Sequence, residues 1–343
     1  MSYLLSTAEV EQLLQLVNQS EKIIITSHKS PDGDAIGSAL AMYHVLKSVG
    51  KQPVVILPDN VPYFLQFLQG YPEIVIFENA QEQAANLIAE AELIFSLDYN
   101  NLSRVGASME AALRNASAKF VLIDHHQQPE GFAAVTYSDT SACSTAELVY
   151  KTVVAAGWKT RLNIAAAECI YAGIMTDSGS FRFPSVTKGT HEIAGELIAL
   201  GMDHARIHRE IYDNNSLNRM RLVGYALSQK LEVLPECATA IISLSQEELL
   251  SFNAQSGDTE SLVNQALSIQ GVKLSAFFRE DAEKVKISFR SKGSFDVNTF
   301  ARNGWNGGGH MNAAGGSFPK PLHEAIERFK QQCIAIKEQI AQS

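Results

Sequence analysis

An imidazole and two carboxylates, His28, Asp32 and Asp34, fall within seven residues of the segment HKSPDGDAIGS. LIFSLD ends in Asp98 after an apolar run, and KFVLIDHH ends in Asp124, His125 and His126. IAAAECIYAGIMTDSGSF then delivers Asp177 just beyond a predicted helix. Each segment alone has a structural explanation. The first could be a Pro-Asp-Gly turn with a helix N-cap at Asp34. Asp98 could cap the next helix, and Asp177 could belong to a polar turn that ends one. Read together, the segments carry at least four carboxylates and two imidazoles to one sheet edge. Unpaired carboxylates crowded there could not all stay ionised. Two divalent cations would balance four negative charges. Oxygen and nitrogen donors without thiolate suit Mn²⁺ or Mg²⁺.

A second constellation lies far downstream, in WNGGGHMNAAGG. Gly308 and Gly309, in a run of three glycines, would expose backbone N–H groups to a closely approaching anion, and His310 adds a side-chain donor. A flexible glycine-rich loop is the alternative. Arg290 ends the apolar-alternating KISFRS, and Arg302 precedes the glycines. Residues 273–302 hold seven Lys/Arg against four Asp/Glu, in a chain whose net charge is -9. A basic, glycine-rich patch on an acidic protein points to a small anion such as a terminal phosphate. The lysines taken singly could equally be a solvated strand face.

These residues need a frame. KIIITS, QPVVILP, EIVIFE, LIFSLD and KFVLIDHH read as strands, separated by helical stretches such as AIGSALAMYHVLKSVG, QEQAANLIAEAE and SMEAALRNA. Alternation of this kind predicts an α/β unit with a mostly parallel sheet flanked by helices. In such sheets the loops at the carboxyl ends of strands form the ligand crevice. From about Ser141 the pattern turns helical. After Gln229, KLEVL, ATAIISL, GVKLSAFFRE and KVKISFRS predict a second, smaller α/β domain, with helices in LVNQALSI and HEAIERFKQQCIAIKEQIA. The expected organisation is a catalytic domain over 1–205, a connecting region over 206–225 and a second domain over 226–343. A cleft is expected between the two domains.

Composition narrows the function. With 46% hydrophobic residues and 343 in all, the chain can bury a sizeable core. No apolar run approaches the ~20 residues of a membrane span. The start, MSYLLSTAEVEQLLQLV, reads as an amphipathic helix and not as a signal peptide. Cys143, Cys169, Cys237 and Cys333 form no CxxC pair, which predicts reduced thiols in a cytoplasmic protein. The acidic balance disfavours long nucleic acid as a partner. No GxGxxG follows the first strand, only a Gly-x-x-x-Gly step at Gly33 and Gly37, and no GxxxxGK[ST] loop is present, which argues against a dinucleotide dehydrogenase and a P-loop NTPase. Ser141 and Ser144 lie in TSACSTAE, which is no GxSxG elbow, and read as helix-start hydroxyls.

The motifs resemble those of the DHH phosphoesterase superfamily. HKSPDGDAIGS resembles its first motif, SLD the second, DHH the third and TDSGSF the fourth. GGGHMNAAGG resembles the signature of the DHH-associated C-terminal domain. Length and order look most like the stand-alone branch of nanoRNases that also act as pAp phosphatases. RecJ-type exonucleases carry a further nucleic-acid-binding domain, and family II pyrophosphatases lack GGGH. The resemblance implies hydrolysis of short oligoribonucleotides to mononucleotides and removal of the 3′-phosphate from pAp. Its alternatives are a linear or cyclic dinucleotide phosphodiesterase, such as a c-di-AMP or pApA hydrolase, or an exopolyphosphatase. It further implies two cations, Mn²⁺ preferred over Mg²⁺. His28, Asp32 and Asp98 resemble the ligands of the first, and Asp34, Asp98, His125 and Asp177 those of the second. Asp98 would bridge the ions. His126 would touch the scissile phosphate or protonate its leaving group, and Asp124 would orient an imidazole. Arg290, Arg302 and Gly308, Gly309 and His310 would hold the far end of the substrate. The spacer ARNGWN departs from the family pattern, so Trp305 is expected to alter the pocket edge. Short single-stranded RNA and pAp are the expected partners, with no membrane and a monomer or homodimer.

Overall fold

The computed structural model describes residues 5–319 and 321–343. The chain forms two compact units, Met1–Asn214 and Asn215–Ser343.

The first unit runs α1 (Thr7–Gln19), β1 (Ile23–Thr26), α2 (Gly33–Ser48), β2 (Val54–Leu57), β3 (Val75–Ile76), α3 (Gln81–Ala89) and β4 (Leu93–Leu97). It continues through α4 (Ala107–Asn115), β5 (Lys119–Asp124), β6 (Val135–Ser138), α5 (Thr145–Ala155), α6 (Ile164–Asp177), α7 (Lys188–Ala199) and α8 (His204–Tyr212). The six strands form a parallel sheet in the order β3-β2-β1-β4-β5-β6. Side chains alternate between two cores. Ile23, Ile25, Phe95, Leu97, Val121 and Ile123 join the core with α2, α5 and α6. Ile24, Ile56, Ile94 and Phe120 join the core with α3 and α4. Strands buried on both faces have no polar side, which is why they read as continuous apolar runs.

The strand order reverses between β1 and β4. Chain connections diverge at that point, leaving a crevice at the carboxyl ends of these two strands. His28, Asp32 and Asp34 follow β1, and Asp98 follows β4 directly. Asp124 closes β5, with both imidazoles of the DHH triplet next.

The second unit contains α9 (Leu217–Gln229), β7 (Leu231–Leu234), β8 (Thr239–Leu244), α10 (Gln246–Ser251), α11 (Leu262–Leu267), β9 (Leu274–Glu280) and β10 (Lys284–Ser291). It ends with α12 (Val297–Arg302), β11 (Gly308–His310), β12 (Ala313–Pro319), α13 (Leu322–Ala335) and α14 (Lys337–Gln342). Its mixed sheet has the order β11-β12-β10-β9-β8-β7, and only β8 and β9 pair in parallel.

Several details differ from the sequence reading. EIVIFE supplies only the two-residue β3. VTYS forms β6, a strand too short for its alternation to register. Of the span 206–225, most lies in α8 and α9, and only 213–216 separates them. The expected N-terminal helix begins at Thr7, and residues 1–4 of that reading lie outside the described residues. The glycine-rich stretch is no loop: Gly308–His310 pairs antiparallel with Ala313–Gly315 as a hairpin. Trp305 is not at a pocket edge. It is fully buried among Phe278, Phe289 and Phe329, and its Nε1 donates to Gln332.

Candidate metal centre

Asp32, not Asp34, caps α2. Its Oδ1 accepts the N–H groups of Asp34 and Ala35 at 3.0 and 3.1 Å. Asp34 is instead buried in the first turn of α2. There its Oδ2 and Oδ1 accept the N–H groups of Thr145 and Ala146 at 2.6 and 2.8 Å. These two donors open α5 and have no partner within their own helix, so Asp34 satisfies them from another element. Asp98 is buried with φ +65°, a left-handed conformation costing on the order of 1–3 kcal/mol for a non-glycine residue. Its backbone N–H is held by the Ile123 carbonyl at 3.1 Å. Asp177 is the last residue of α6, not a position just beyond it.

Side chains from four strand or helix ends meet here. One oxygen or nitrogen each from His28, Asp32 and Asp98 lie within 4.8 Å of one another. The same holds for Asp34, His125 and Asp177, and for Asp98, Asp124 and His126. Asp98 looks both ways: Oδ2 is 3.4 Å from His28 Nε2 and Oδ1 is 3.7 Å from His125 Nε2.

The imidazole tautomers follow from acceptors that cannot donate. His28 Nδ1–H donates to the Lys29 carbonyl at 2.9 Å, and His125 Nδ1–H to the Ala142 carbonyl at 3.3 Å. Each therefore turns Nε2 to the carboxylates. Asp124 is fully buried and accepts twice from His126, from the ring Nδ1–H at 2.7 Å and the backbone N–H at 3.0 Å.

The electrostatics are those of crowded, buried carboxylates and imidazoles. Burial, then Asp34 and Asp32, push the Asp98 carboxyl well above the usual range. Burial also raises Asp34, to about 6, against the opposing pull of His125. Burial would drive His125 towards neutrality, but Asp177, Asp34 and Asp98 outweigh it and push it up to about 9. Burial, then His125 and Arg104, hold His126 well below the usual imidazole range. Without a metal, then, protons must occupy the carboxylate–imidazole gaps. Divalent cations would fill the same gaps with more charge, and the donors present, carboxylate and imidazole without thiolate, fit hard cations.

Sequence reasoning missed the groups that hold these side chains. Thr145 Oγ1 donates to Asp98 Oδ1 at 2.9 Å, yet TSACSTAE suggested only helix-start hydroxyls. Ser144 does have that role, accepting the Glu147 N–H. Asp59, following β2, accepts the Ser30 N–H with both oxygens, at 2.8 and 3.0 Å, and so ties down the loop between His28 and Asp32. Gly173 faces α2 and α5 so closely that a Cβ there would lie 2.5 Å from Ala146 Cβ and 2.9 Å from Asp34 Oδ1.

In the second unit, Arg290 is the penultimate residue of β10, and its Nη1 donates to the Phe289 carbonyl. Arg302 ends α12, where its Nε donates to Asn298 Oδ1 at 3.0 Å. The same Asn298 oxygen accepts the Gly309 N–H at 2.9 Å, so this amide is not open to an anion as expected. Gly309 is required by the hairpin itself, since a Cβ would lie 2.4 Å from the Ala313 carbonyl oxygen. The basic stretch is also weaker than its count. Lys273 and Lys292 donate to backbone carbonyls, and Lys286 pairs with Asp281 at 3.0 Å.

Comparison with known proteins agrees with this architecture. Residues 22–174 match the DHH family, N-terminal domain, and residues 238–339 match the DHHA1 domain. The bifunctional oligoribonuclease and PAP phosphatase NrnA of Bacillus subtilis is 31% identical over 89% of this chain and 92% of its own. The cyclic-di-AMP phosphodiesterase GdpP of the same species is 29% identical over 93% of this chain and 48% of its own. The crystal structure of an exopolyphosphatase-related protein from Bacteroides fragilis superposes with a TM-score of 0.93 at 39% identity, covering 99% of both chains.

Proposed function

The chain belongs to the DHH family, and on that premise we propose that it hydrolyses short oligoribonucleotides to mononucleotides and removes the 3′-phosphate of pAp. The observation that carries this reading is the position of Asp98, whose two oxygens face two separate groups of cation ligands. His28, Asp32 and Asp98 would hold one divalent cation and Asp34, Asp98, His125 and Asp177 a second, Mn²⁺ by preference. Bound there, the pair supplies Lewis-acid neutralisation of phosphoryl oxygens and a water acidic enough to ionise near neutral pH.

The chain's own residues do the rest. Asp98, fixed by its backbone and by Thr145, keeps the two ligand groups in register. Asp124 holds the Nδ1 proton of His126, so exchange of a proton or hydrogen bond with the scissile phosphate or its leaving group runs through Nε2. Arg290, Arg302 and the Gly308–His310 strand are read as contacts for the rest of the substrate. A single anion anchor favours short substrates, because each extra nucleotide adds charge without a basic track to receive it. Buried, unpaired thiols at all four cysteines support a reducing, cytoplasmic setting. No helix among the described residues is long and apolar enough to cross a membrane.

The similarity to GdpP favours a second reading, hydrolysis of cyclic or linear dinucleotides. One panel separates the readings: pAp, RNA from 2-mer to 24-mer, c-di-AMP, pApA and polyphosphate, each with Mn²⁺, Mg²⁺ or chelator. We expect 2- to 5-mers and pAp to turn over fastest with Mn²⁺, and nothing to turn over with chelator. Faster cleavage of the 24-mer than of the 3-mer would refute the short-substrate reading. Turnover confined to c-di-AMP or polyphosphate would replace it.

A further inference from the structure

The segment 142–146 touches three of the residues read above as cation ligands. The Ala142 carbonyl holds His125, and the Thr145 and Ala146 N–H groups hold Asp34. These are backbone contacts, which most residue types could make. The bond from Thr145 Oγ1 to Asp98 Oδ1, at 2.9 Å, is different because it needs a hydroxyl.

That hydroxyl is not required by the helix. Ser144 caps α5 through the Glu147 N–H, and Asp34 takes the two remaining leading N–H groups. Thr145 is fully buried, so its hydroxyl has no solvent partner. It is directed at the carboxylate that faces both ligand groups. A carboxylate turns easily about its last side-chain torsion, which is broad and roughly two-fold. The backbone of Asp98 sets where the group sits, but not how it is rotated. With Thr145 on Oδ1, Oδ2 stands 3.4 Å from His28 Nε2 and Oδ1 stands 3.7 Å from His125 Nε2. Rotation by a quarter turn would take both oxygens out of those directions.

We propose that Thr145 is a positioning residue that sets the rotation of the Asp98 carboxylate and so lets this one group serve two cations. The inference rests on the two-cation reading given above. It assigns a role to TSACSTAE that is neither nucleophilic nor capping.

The test is Mn²⁺ binding to the metal-stripped 343-residue chain, followed by calorimetry and by electron paramagnetic resonance. Wild type should bind two Mn²⁺ and show the spectrum of an exchange-coupled pair. Thr145→Val keeps the shape and removes the hydroxyl. It should weaken the second Mn²⁺ by roughly 10–100-fold, the usual effect of losing a group that orients a ligand, and uncouple the spectrum. Thr145→Ala removes the hydroxyl without placing a methyl against the carboxylate, and should do the same. Thr145→Ser should restore both affinity and coupling. Two coupled Mn²⁺ of wild-type affinity in the Val or Ala variant would overturn the proposal. So would a Ser variant as impaired as Val, or failure of both Val and Ala to fold, since packing would then be the role. Fewer than two Mn²⁺ on wild type would overturn the two-cation reading and this inference with it.

Discussion

Replacing Asp124 by Asn tests whether His126 works through its tether. The carboxylate accepts the His126 ring Nδ1–H at 2.7 Å and the backbone N–H at 3.0 Å. Asn keeps the size but offers one acceptor and one donor. The backbone N–H can only donate, so the amide oxygen must stay with it. The amide NH₂ then faces Nδ1 and forces the ring proton onto Nε2, the wrong tautomer. Refusing that switch leaves two donors face to face in a fully buried position, a cost of about 1–3 kcal/mol. Loss of a charge-assisted bond adds about 1.5–3 kcal/mol. At ~1.4 kcal/mol per tenfold, kcat on a dinucleotide should fall roughly 10²–10⁴-fold. The assay compares dinucleotide and pAp with bis-p-nitrophenyl phosphate, whose leaving group needs no proton, and measures bound Mn²⁺ in parallel. The smaller loss should be on the artificial substrate, with Mn²⁺ content unchanged. Equal losses on all substrates, or a loss under about threefold on the dinucleotide, would refute the tether argument.

Gly173→Ala should destabilise the protein by about 1–3 kcal/mol in denaturant unfolding, because the new Cβ meets Ala146 and Asp34 at under 3 Å. An unchanged midpoint would mean that α5 and α6 can separate freely. The metal-free protein should lose stability as pH rises. Asp34, raised to about 6, keeps its proton in the folded state after the unfolded chain has lost it near 3.8, so stability falls between those values. His125, pushed up to about 9, contributes stability that is complete below about 6.5 and lost as pH rises through 9. Melting temperature should therefore decline without metal from about pH 6.5, where the opposing gain from the depressed His126 is complete, to pH 9, and flatten with saturating Mn²⁺; a flat metal-free profile over that window would contradict the His125 shift. Arg290→Ala should raise KM for dinucleotides and pAp about tenfold or more while sparing bis-p-nitrophenyl phosphate. Equal damage to both substrates would place Arg290 in the fold instead.

The parallel sheet was legible in the sequence because its strands are covered on both faces. Ile24 faces one core and Ile23 and Ile25 the other, so no polar residue interrupts the run. The acids and imidazoles stood out for the complementary reason: Asp98 and the DHH triplet interrupt apolar runs where a parallel strand ends, and those ends converge. Local sequence could not say what holds them. Asp34 and Thr145 are 111 residues apart, and Thr145 and Asp98 are 47 apart, so no periodicity links them. Which carboxylate caps α2 depended on the same long-range contact, because Asp34 turns away to α5 and leaves the cap to Asp32. The second unit shows the opposite limit. GGGH looked open because glycines carry no side chains, but the lack of side chains is what allows β11 to pack against the β12 backbone. Trp305 was expected at the pocket edge, yet tertiary packing buries it among phenylalanines. Sequence determines which residues can enter an element and where that element ends. Hydrogen bonds and close contacts between distant elements decide which side chain takes which partner, and those exist only once the chain has folded.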